Sequence, residues 1–413
     1  MFFIIASVAG VLLDVAAFRG VMFVFPRFGT RHVRGIAVFL AAQSALLLAA
    51  MTAGAVFERQ AWDYRLTSAY YYLFALVALL YLPKILFALA LIPETMISAK
   101  RKKRRRQQYF PYKPMRHVRA RLGLLAGAAL DVLLLWGIFF GRFDCTVTQV
   151  KIAFPALPEK FNGFRIVQIS DLHAGSSFGF ERRWQKTVEA INRQQADVIV
   201  FTGDFVNNFA EELAPLAPLF ARLEAPAGKY AICGNHDYGG YADWRSPADR
   251  QANQEALERN IALMGFDLLK NRSVVIERDS ANRIALSGTE NWGGRERDPR
   301  RANLPATLAA ARDAPFRILL THDPSYWDFR VKDREDIALT LSGHIHGMQA
   351  GVKIDGRRYS PAQLFYRYGF GLYGAGGRYL YVNSGLGVIG FPGRVGMPPE
   401  ITVIELTTGG VSR

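Results

Sequence analysis

The sequence predicts an α/β layered domain preceded by an all-α region of four membrane-crossing helices, and three features predict it. Four long apolar runs fill the first third of the 413 residues. After Phe140, short apolar runs of strand length alternate with helix-like stretches. Several of those short runs close on Asp, Asn or His, and the C-terminal ends of strands are where open α/β sheets bind ligands.

Half of the residues are apolar, so the length accommodates a membrane part and a full-cored domain of roughly 250 residues. Residues 1–143 are assigned to the membrane region and 144–413 to the globular domain. The predicted spans are residues 1–25, 35–57, 69–92 and 122–140, each near the roughly 20 residues needed to cross about 30 Å of hydrocarbon. The first lacks the basic leader and small-residue cleavage site of a secretory signal, so it reads as a retained helix. The fourth is the shortest and carries Asp131, which leaves a re-entrant or interfacial helix as the other reading. Asp14 and Asp131 lie inside apolar spans, where an ionisable group is costly and faces a partner or cavity; a polar contact between helices is the expected role.

Orientation follows from the loops. Arg27, Arg31 and Arg34 lie between spans one and two, and the loop 93–121 contains the unbroken basic run Lys100 to Arg106. Positive loops stay in the cytoplasm, so the chain after Phe140 is expected on the far side, the periplasm if the membrane is a bacterial inner membrane. The basic run is a topogenic, solvated face, with anionic lipid head groups as its second possible partner.

Charge is unevenly divided: residues 1–144 hold 19 Lys/Arg against 6 Asp/Glu, and residues 145–413 hold 32 against 29. The basic balance therefore belongs to the membrane region, and no nucleic-acid partner is expected for the globular part. Two cysteines, Cys145 and Cys233, do not make a disulfide framework.

In the globular part the expected order is a strand over Phe164 to Ser170, a helix from Glu181 to Gln194, a strand over Asp197 to Gly203, a helix near Glu211 to Leu223, and a strand over Lys229 to Gly234. Further strands are expected over Arg283 to Gly288, Arg317 to His322, Ile337 to Ser342, Tyr379 to Asn383 and Ile401 to Leu406. The Gly- and Arg-rich segment Asn291 to Asn303 reads as an exposed loop bordering a cleft.

The chemistry lies at the strand ends. Asp171-Leu-His173 ends the first strand; Thr202-Gly203-Asp204 follows, then Gly234-Asn235-His236-Asp237, Thr321-His322-Asp323, and Gly343-His344-Ile345-His346. Each alone is an ordinary turn, but their joint occurrence behind apolar runs is not. Five of the seven histidines fall here; His32 and His117 lie in the cytoplasmic loops. Two divalent ions a few ångströms apart repel, so an anionic ligand must sit between them, and Asp204 is the candidate bridge. Neutral imidazoles and an amide oxygen complete each shell without overcharging it. Such ligation suits borderline metals (Mn, Fe or Zn) better than Ca.

Taken together, these motifs resemble the calcineurin-like metallophosphoesterase superfamily over Phe164 to Leu406, about 240 residues. The resemblance implies a two-sheet β-sandwich flanked by helices. It implies one metal held by Asp171, His173, Asp204 and His346, a second held by Asp204, Asn235, His322 and His344, and hydrolysis by a metal-bridging hydroxide. It also implies His236 as the acid or oxyanion stabiliser beside the scissile phosphate, with Asp237 orienting its imidazole. The tail, Gly385-Leu-Gly387, Arg394 and Pro399-Glu400-Ile401, resembles the membrane-associated bacterial phosphodiesterase branch. One departure stands out: protein phosphatases of the superfamily carry Gly-Asp-x-x-Asp-Arg-Gly, whereas this chain has Asn207 and Asn208 and lacks the Arg. A phosphate-clamping guanidinium expected for protein monoesters is thus missing.

The expected function is hydrolysis of a phosphodiester or pyrophosphate by two divalent ions. The partners are membrane lipids and a phosphoester substrate, lipid-linked or from the envelope, because sharing a surface raises effective concentration. Alternatives are a UDP-2,3-diacylglucosamine pyrophosphatase of lipid A synthesis, whose cytoplasmic substrate conflicts with the orientation above, and a non-catalytic membrane receptor or scaffold. A nuclease or cyclic-nucleotide esterase would want a basic or aromatic groove, which near-balanced charge does not favour. Alkaline phosphatase fused after Arg413 is expected to be active and a fluorescent protein there dark; the opposite pair would put the domain in the cytoplasm.

Overall fold

The structure, a computed structural model, describes residues 2–60, 64–107, 117–177, 179–293 and 300–409. The chain forms two compact units, one of Met1–Gln60 and Ala69–Trp136, the other of Ala61–Ser68 and Gly137–Arg413.

The first unit is made from four helices, α1 (Phe2–Val24), α2 (Thr30–Gln60), α3 (Tyr64–Gln107) and α4 (Val118–Phe139), of which the start of α3 up to Ser68 and the end of α4 from Gly137 belong to the second unit. Each contains a stretch long and apolar enough to cross a membrane. Small residues let the backbones approach, as membrane helices require: Gly20 packs on Phe87 and Leu91, Gly123 on Ala90, and Gly127 on Pro83. Asp14 of α1 accepts hydrogen bonds from Ser44 of α2 (2.6 Å) and Tyr81 of α3 (2.8 Å), and pairs with Lys84. The polar contact between helices is therefore what Asp14 makes, whereas Asp131 has a buried oxygen without a hydrogen-bond partner. The segment 93–121 is not a loop throughout. Helix α3 runs on through the basic stretch to Gln107 because Lys, Arg and Gln are good helix formers; residues 108–116 lie outside the described residues.

The second unit begins with β1 (Thr146–Ala153), β2 (Arg165–Ile169), β3 (Val198–Phe201), β4 (Lys229–Ala231) and β5 (Asp267–Leu268). Then come β6 (Arg272–Glu277), β7 (Arg283–Gly288), β8 (Phe316–Leu320) and β9 (Leu339–Ser342). A hairpin of β10 (Val352–Ile354) and β11 (Arg357–Tyr359) precedes β12 (Gly371–Ala375), β13 (Arg378–Val382) and β14 (Glu400–Thr407). One mixed sheet has the order β1-β14-β2-β3-β4-β5, the other β12-β13-β9-β8-β7-β6. The helices are α5 (Trp184–Asn192), α6 (Ala217–Phe220), α7 (Pro247–Leu263), α8 (Leu304–Ala309) and α9 (Ala362–Phe365).

Side-chain alternation explains why the central strands are mostly apolar. From β2 and β3, Ile166, Val198 and Val200 point into the core between the sheets, with Leu286, Ile318, Leu320 and Leu341 from the other sheet. Their neighbours Val167, Ile169, Ile199 and Phe201 point outward into a second core with Trp184, Phe220, Leu257 and Ile261 of α5, α6 and α7. Strands buried on both faces need no polar alternation; the buried exceptions inside β2 and β9 are Gln168, which donates to the Thr202 hydroxyl and the Ser342 carbonyl, and Thr340.

Three expectations change. The helix near Glu211 to Leu223 is a 3₁₀ turn, Ala210–Glu212, followed by the single turn of α6; Pro215 and Pro218 interrupt it. Helix α7, not foreseen, is capped by Ser246, which accepts the Asp249 N–H, and has Pro247 at its first position. Strand β1, also not foreseen, pairs in parallel with β14 along its whole length. The loop Asn291 to Asn303 lies partly outside the described residues, at 294–299.

Phe201 is buried and stacks on Phe205 with ring centroids 3.7 Å apart. Phe201→Ala is expected to cost about 3–5 kcal/mol of unfolding free energy in urea; a loss below about 1 kcal/mol would mean that the site collapses around the cavity.

Candidate metal centre

The candidate residues follow directly on β2, β3, β4, β8 and β9, and the backbone turns sharply there. Asp171, His173, Asp204, His344 and His346 have φ of 53°, 44°, 60°, 78° and 54°. Left-handed backbone costs a residue with a Cβ about 1–2 kcal/mol, and strain of this kind collects at functional sites. Gly203 has φ 96°, and a Cβ on it would fall 2.6 Å from Gly234 N and 2.8 Å from His322 Nδ1. Only glycine lets the β3 and β4 ends come this close.

All seven candidate ligands come together. Donor atoms of Asp171, His173 and His346 lie within 4.8 Å of one another, as do those of Asp204, His322 and His344. His173 Nε2 is 3.1 Å from His346 Nε2 and 3.6 Å from Asp204 Oδ2. On the other side of that carboxylate, His322 Nε2 is 3.1 Å from the same Oδ2 and 3.1 Å from Asn235 Oδ1, while His344 Nδ1 is 3.2 Å from His322 Nε2. Asp204 thus stands between the two groups. Lone-pair nitrogens and carboxylate oxygens aimed at common points are a donor set that divalent cations fit, and nitrogen-rich groups of this kind suit Mn, Fe or Zn.

The side chains behind this set fix the rings. The Asn207 Oδ1 is 3.0 Å from His173 Nδ1, the Thr202 carbonyl accepts from His322 Nδ1 at 2.7 Å, and Arg394 Nη2 is 3.3 Å from His346 Nδ1. The two oxygen acceptors select the Nδ1–H tautomer that leaves Nε2 of His173 and His322 free for a metal, whereas Arg394, a donor only, orients the His346 ring. His236 Nδ1 donates to the Asn207 carbonyl at 2.8 Å, and its ring stacks on Tyr241 and meets His173 edge-on. Among the described residues Asp237 makes no hydrogen bond to that imidazole. Its oxygens accept the N–H groups of Asp204, Phe205, Val206 and Gly234 at 2.8–3.2 Å, so it braces the β3 and β4 ends against each other. Asn207, Glu212 and Arg394 are the residues that motif spacing did not single out as site residues. Glu212 accepts N–H bonds from Gly175, Asn207, Asn208 and Phe209; a buried Glu five residues after Asn207 carries no sequence signal of its own.

The electrostatics are those of a site that competes for protons. Burial opposes the charge on Asp171, yet His346 and His322 hold its carboxyl at about 2. Asp204 is likewise held well below the carboxylate range, despite its burial, by His322, His236 and His173. Burial pushes His173 well below, and His344 below, the usual imidazole value. It also disfavours charge on His322, but Asp204 and Asp171 outweigh it and raise that imidazole to about 10. Burial and then the Asp204 charge push Asp237 up to about 8.

The family model for calcineurin-like phosphoesterases matches residues 164–348. The uncharacterized metallophosphoesterase YkuE of Bacillus subtilis is 32% identical over 263 residues, which cover 63% of this chain and 84% of that one. A zebrafish (Danio rerio) transmembrane protein with a metallophosphoesterase domain is 30% identical, over 68% of this chain and 62% of its own length. The phosphodiesterase YaeI of Escherichia coli is 28% identical, over 59% of this chain and 82% of its own.

A proton held by His322 must leave before its nitrogen can take a cation. Because the raised value favours that proton below about 10, affinity for Mn²⁺ is expected to rise with pH through the neutral range, with proton release on binding. Calorimetry of the metal-free protein in two buffers of different ionisation enthalpy reads the proton count; zero release would show a neutral His322.

Proposed function

Because the chain belongs to the calcineurin-like metallophosphoesterases, metal-dependent hydrolases of phosphoesters, we propose that it is a membrane-anchored phosphodiesterase or pyrophosphatase acting on a lipid-linked or envelope phosphoester. The observation that carries this is the pair of donor groups on either side of Asp204. In this reading Asp171, His173, Asp204 and His346 hold one divalent cation, and Asp204, Asn235, His322 and His344 hold the other, drawn from Mn, Fe or Zn. When bound, the cations supply Lewis-acid charge neutralisation and a more acidic water.

The chain's own contribution is positioning and proton transfer. Asn207 holds His173 by its side chain and His236 by its carbonyl, so one residue sets the spacing between a ligand and the proposed acid. With Nδ1–H committed to that carbonyl, the imidazolium form of His236 has Nε2–H to give to the leaving oxygen. A cavity of about 400 Å³ beside His344, lined by Phe329, Ile345, Tyr366 and Tyr368, supports an apolar or aromatic group on the substrate.

Four apolar helices and the transmembrane relative support a multi-pass membrane protein; in this reading the membrane is a bacterial inner membrane, and the loop charges favour a periplasmic catalytic unit. The name of the Escherichia coli relative favours a diester over a monoester. The near-balanced charge after residue 144 supports lipids over nucleic acid as partners.

Asp204→Asn and His344→Ala are each expected to lower metal-dependent cleavage of bis(p-nitrophenyl) phosphate more than about 100-fold, with circular dichroism unchanged. Activity retained by both variants would overturn the site. Phospholipid and cell-wall precursor profiles of a strain carrying only Asp204→Asn are expected to show one accumulated phosphoester; unchanged profiles would reject the lipid-linked or envelope substrate.

A further inference from the structure

The second unit has an apolar surface that neither its cores nor the metal centre explains. It is built by the β10–β11 hairpin and α9. In the hairpin Val352 pairs with Tyr359 and Ile354 with Arg357, while Lys353 pairs with Arg358. Alternation therefore gathers Val352, Ile354 and Tyr359 on one face, with Arg357 at its edge, and two cations on the other. Val352 and Ile354 are each 54% exposed, Leu364 of α9 82% and Phe365 72%. Single exposed apolar residues are ordinary, but five of them within residues 352–365, Val352, Ile354, Tyr359, Leu364 and Phe365, point to an interaction surface.

Charge and position indicate what covers it. Between residues 350 and 378 there are five Lys/Arg and one acid, Asp355. Arg358 and Arg367 reach Glu400 and Asp328 at 3.8 and 2.9 Å, whereas Lys353 and Arg357 make no ion pair among the described residues. Apolar and aromatic side chains bordered by cations are the composition of surfaces that lie in an anionic bilayer interface. The root of the hairpin is tied to the membrane exit of the chain. Gly351 N donates to Val395 O at 2.8 Å, Val395 N to Gln349 O at 2.9 Å, and the adjoining Arg394 N to Gly137 O at 3.2 Å. Gly137 lies in the last turn of α4, and the next aromatic residues, Phe139 and Phe140, are exposed as well.

We propose that β10–β11 and α9 form a docking plate that enters the head-group region of an anionic bilayer and holds the catalytic unit against it. Directly after α9, Tyr366 and Arg367 line the cavity that His344 also lines, so in this proposal a phosphoester in the bilayer would pass from the plate to the metal centre. The plate goes beyond the function proposed above; only its role in substrate delivery rests on that reading.

The test uses the full chain in vesicles of phosphatidylglycerol and phosphatidylethanolamine, with p-benzoylphenylalanine in place of Phe365 and, as control, of Leu263, which is exposed on α7. On irradiation, position 365 is expected to give a phospholipid adduct, reduced when the anionic lipid is replaced by phosphatidylcholine, and position 263 none. Adducts to a second copy of the chain, no adduct at position 365, or equal lipid adducts at both positions would overturn the plate. The double variant Leu364→Glu/Phe365→Glu is expected to lower hydrolysis of a vesicle-embedded phosphodiester roughly tenfold while sparing bis(p-nitrophenyl) phosphate; equal turnover of both substrates would overturn the delivery role. A lipid adduct without turnover of any lipid would leave the plate standing and remove the lipid substrate.

Discussion

The centre depends on buried carboxylates that are not candidate ligands. Asp237 accepts four N–H groups from the β3 and β4 ends, Glu212 accepts four around Gly175 and Asn207, and Glu400 accepts the Ser384 N–H and hydroxyl together with the Tyr381 hydroxyl. A backbone that leaves a strand in left-handed conformation has N–H groups with no ladder partner, and each costs about 1–3 kcal/mol if buried unpaired. The carboxylates remove that cost. They also fix where the ligand side chains leave the backbone.

Negative charge is thereby brought into the interior in two layers. Asp171 and Asp204 face the donor cluster, while Asp237 and Glu212 sit among backbone dipoles behind it. In the inner layer the carboxylates raise His322 and are themselves lowered by the neighbouring imidazoles, and the outer layer is pushed towards its neutral form: burial raises Glu212 to about 7. Two divalent ions would relieve both, since they replace any proton on His322 and offset the repulsion between Asp204 and Asp237. The membrane unit handles its own buried acid differently, pairing Asp14 with Lys84 and two hydroxyls on neighbouring helices, an arrangement suited to fixing helix contacts.

Much of this was legible in the chain. The four spans are plain because hydrocarbon demands long apolar runs, and the ligand-bearing strands because burial on both faces keeps them mostly apolar, with Gln168 and Thr340 the buried polar exceptions. Asp171, His173, Asp204, Asn235, His322, His344 and His346 were readable for the same reason: each breaks an apolar run. Strand β1 and helix α7 were harder. In β1 the residues are mostly half-buried, and in α7 only Leu257 and Ile261 are fully buried, so the periodic signal is weak.

The sequence by itself determined the element types around the site, the residues whose chemistry suits borderline metals, and the division between an apolar, basic first third and a charge-balanced remainder. Only the tertiary structure decided that Asp237 binds backbone in place of an imidazole, that Asn207 links His173 to His236, and that Gly351 and Gly137 are two hydrogen-bonded steps apart through Val395 and Arg394. The physical reason is range. Periodicity and burial act over a few neighbouring residues and leave their mark on composition, whereas these contacts join positions from about 30 to over 200 residues apart and exist only once the segments that carry them have been brought side by side in the folded unit.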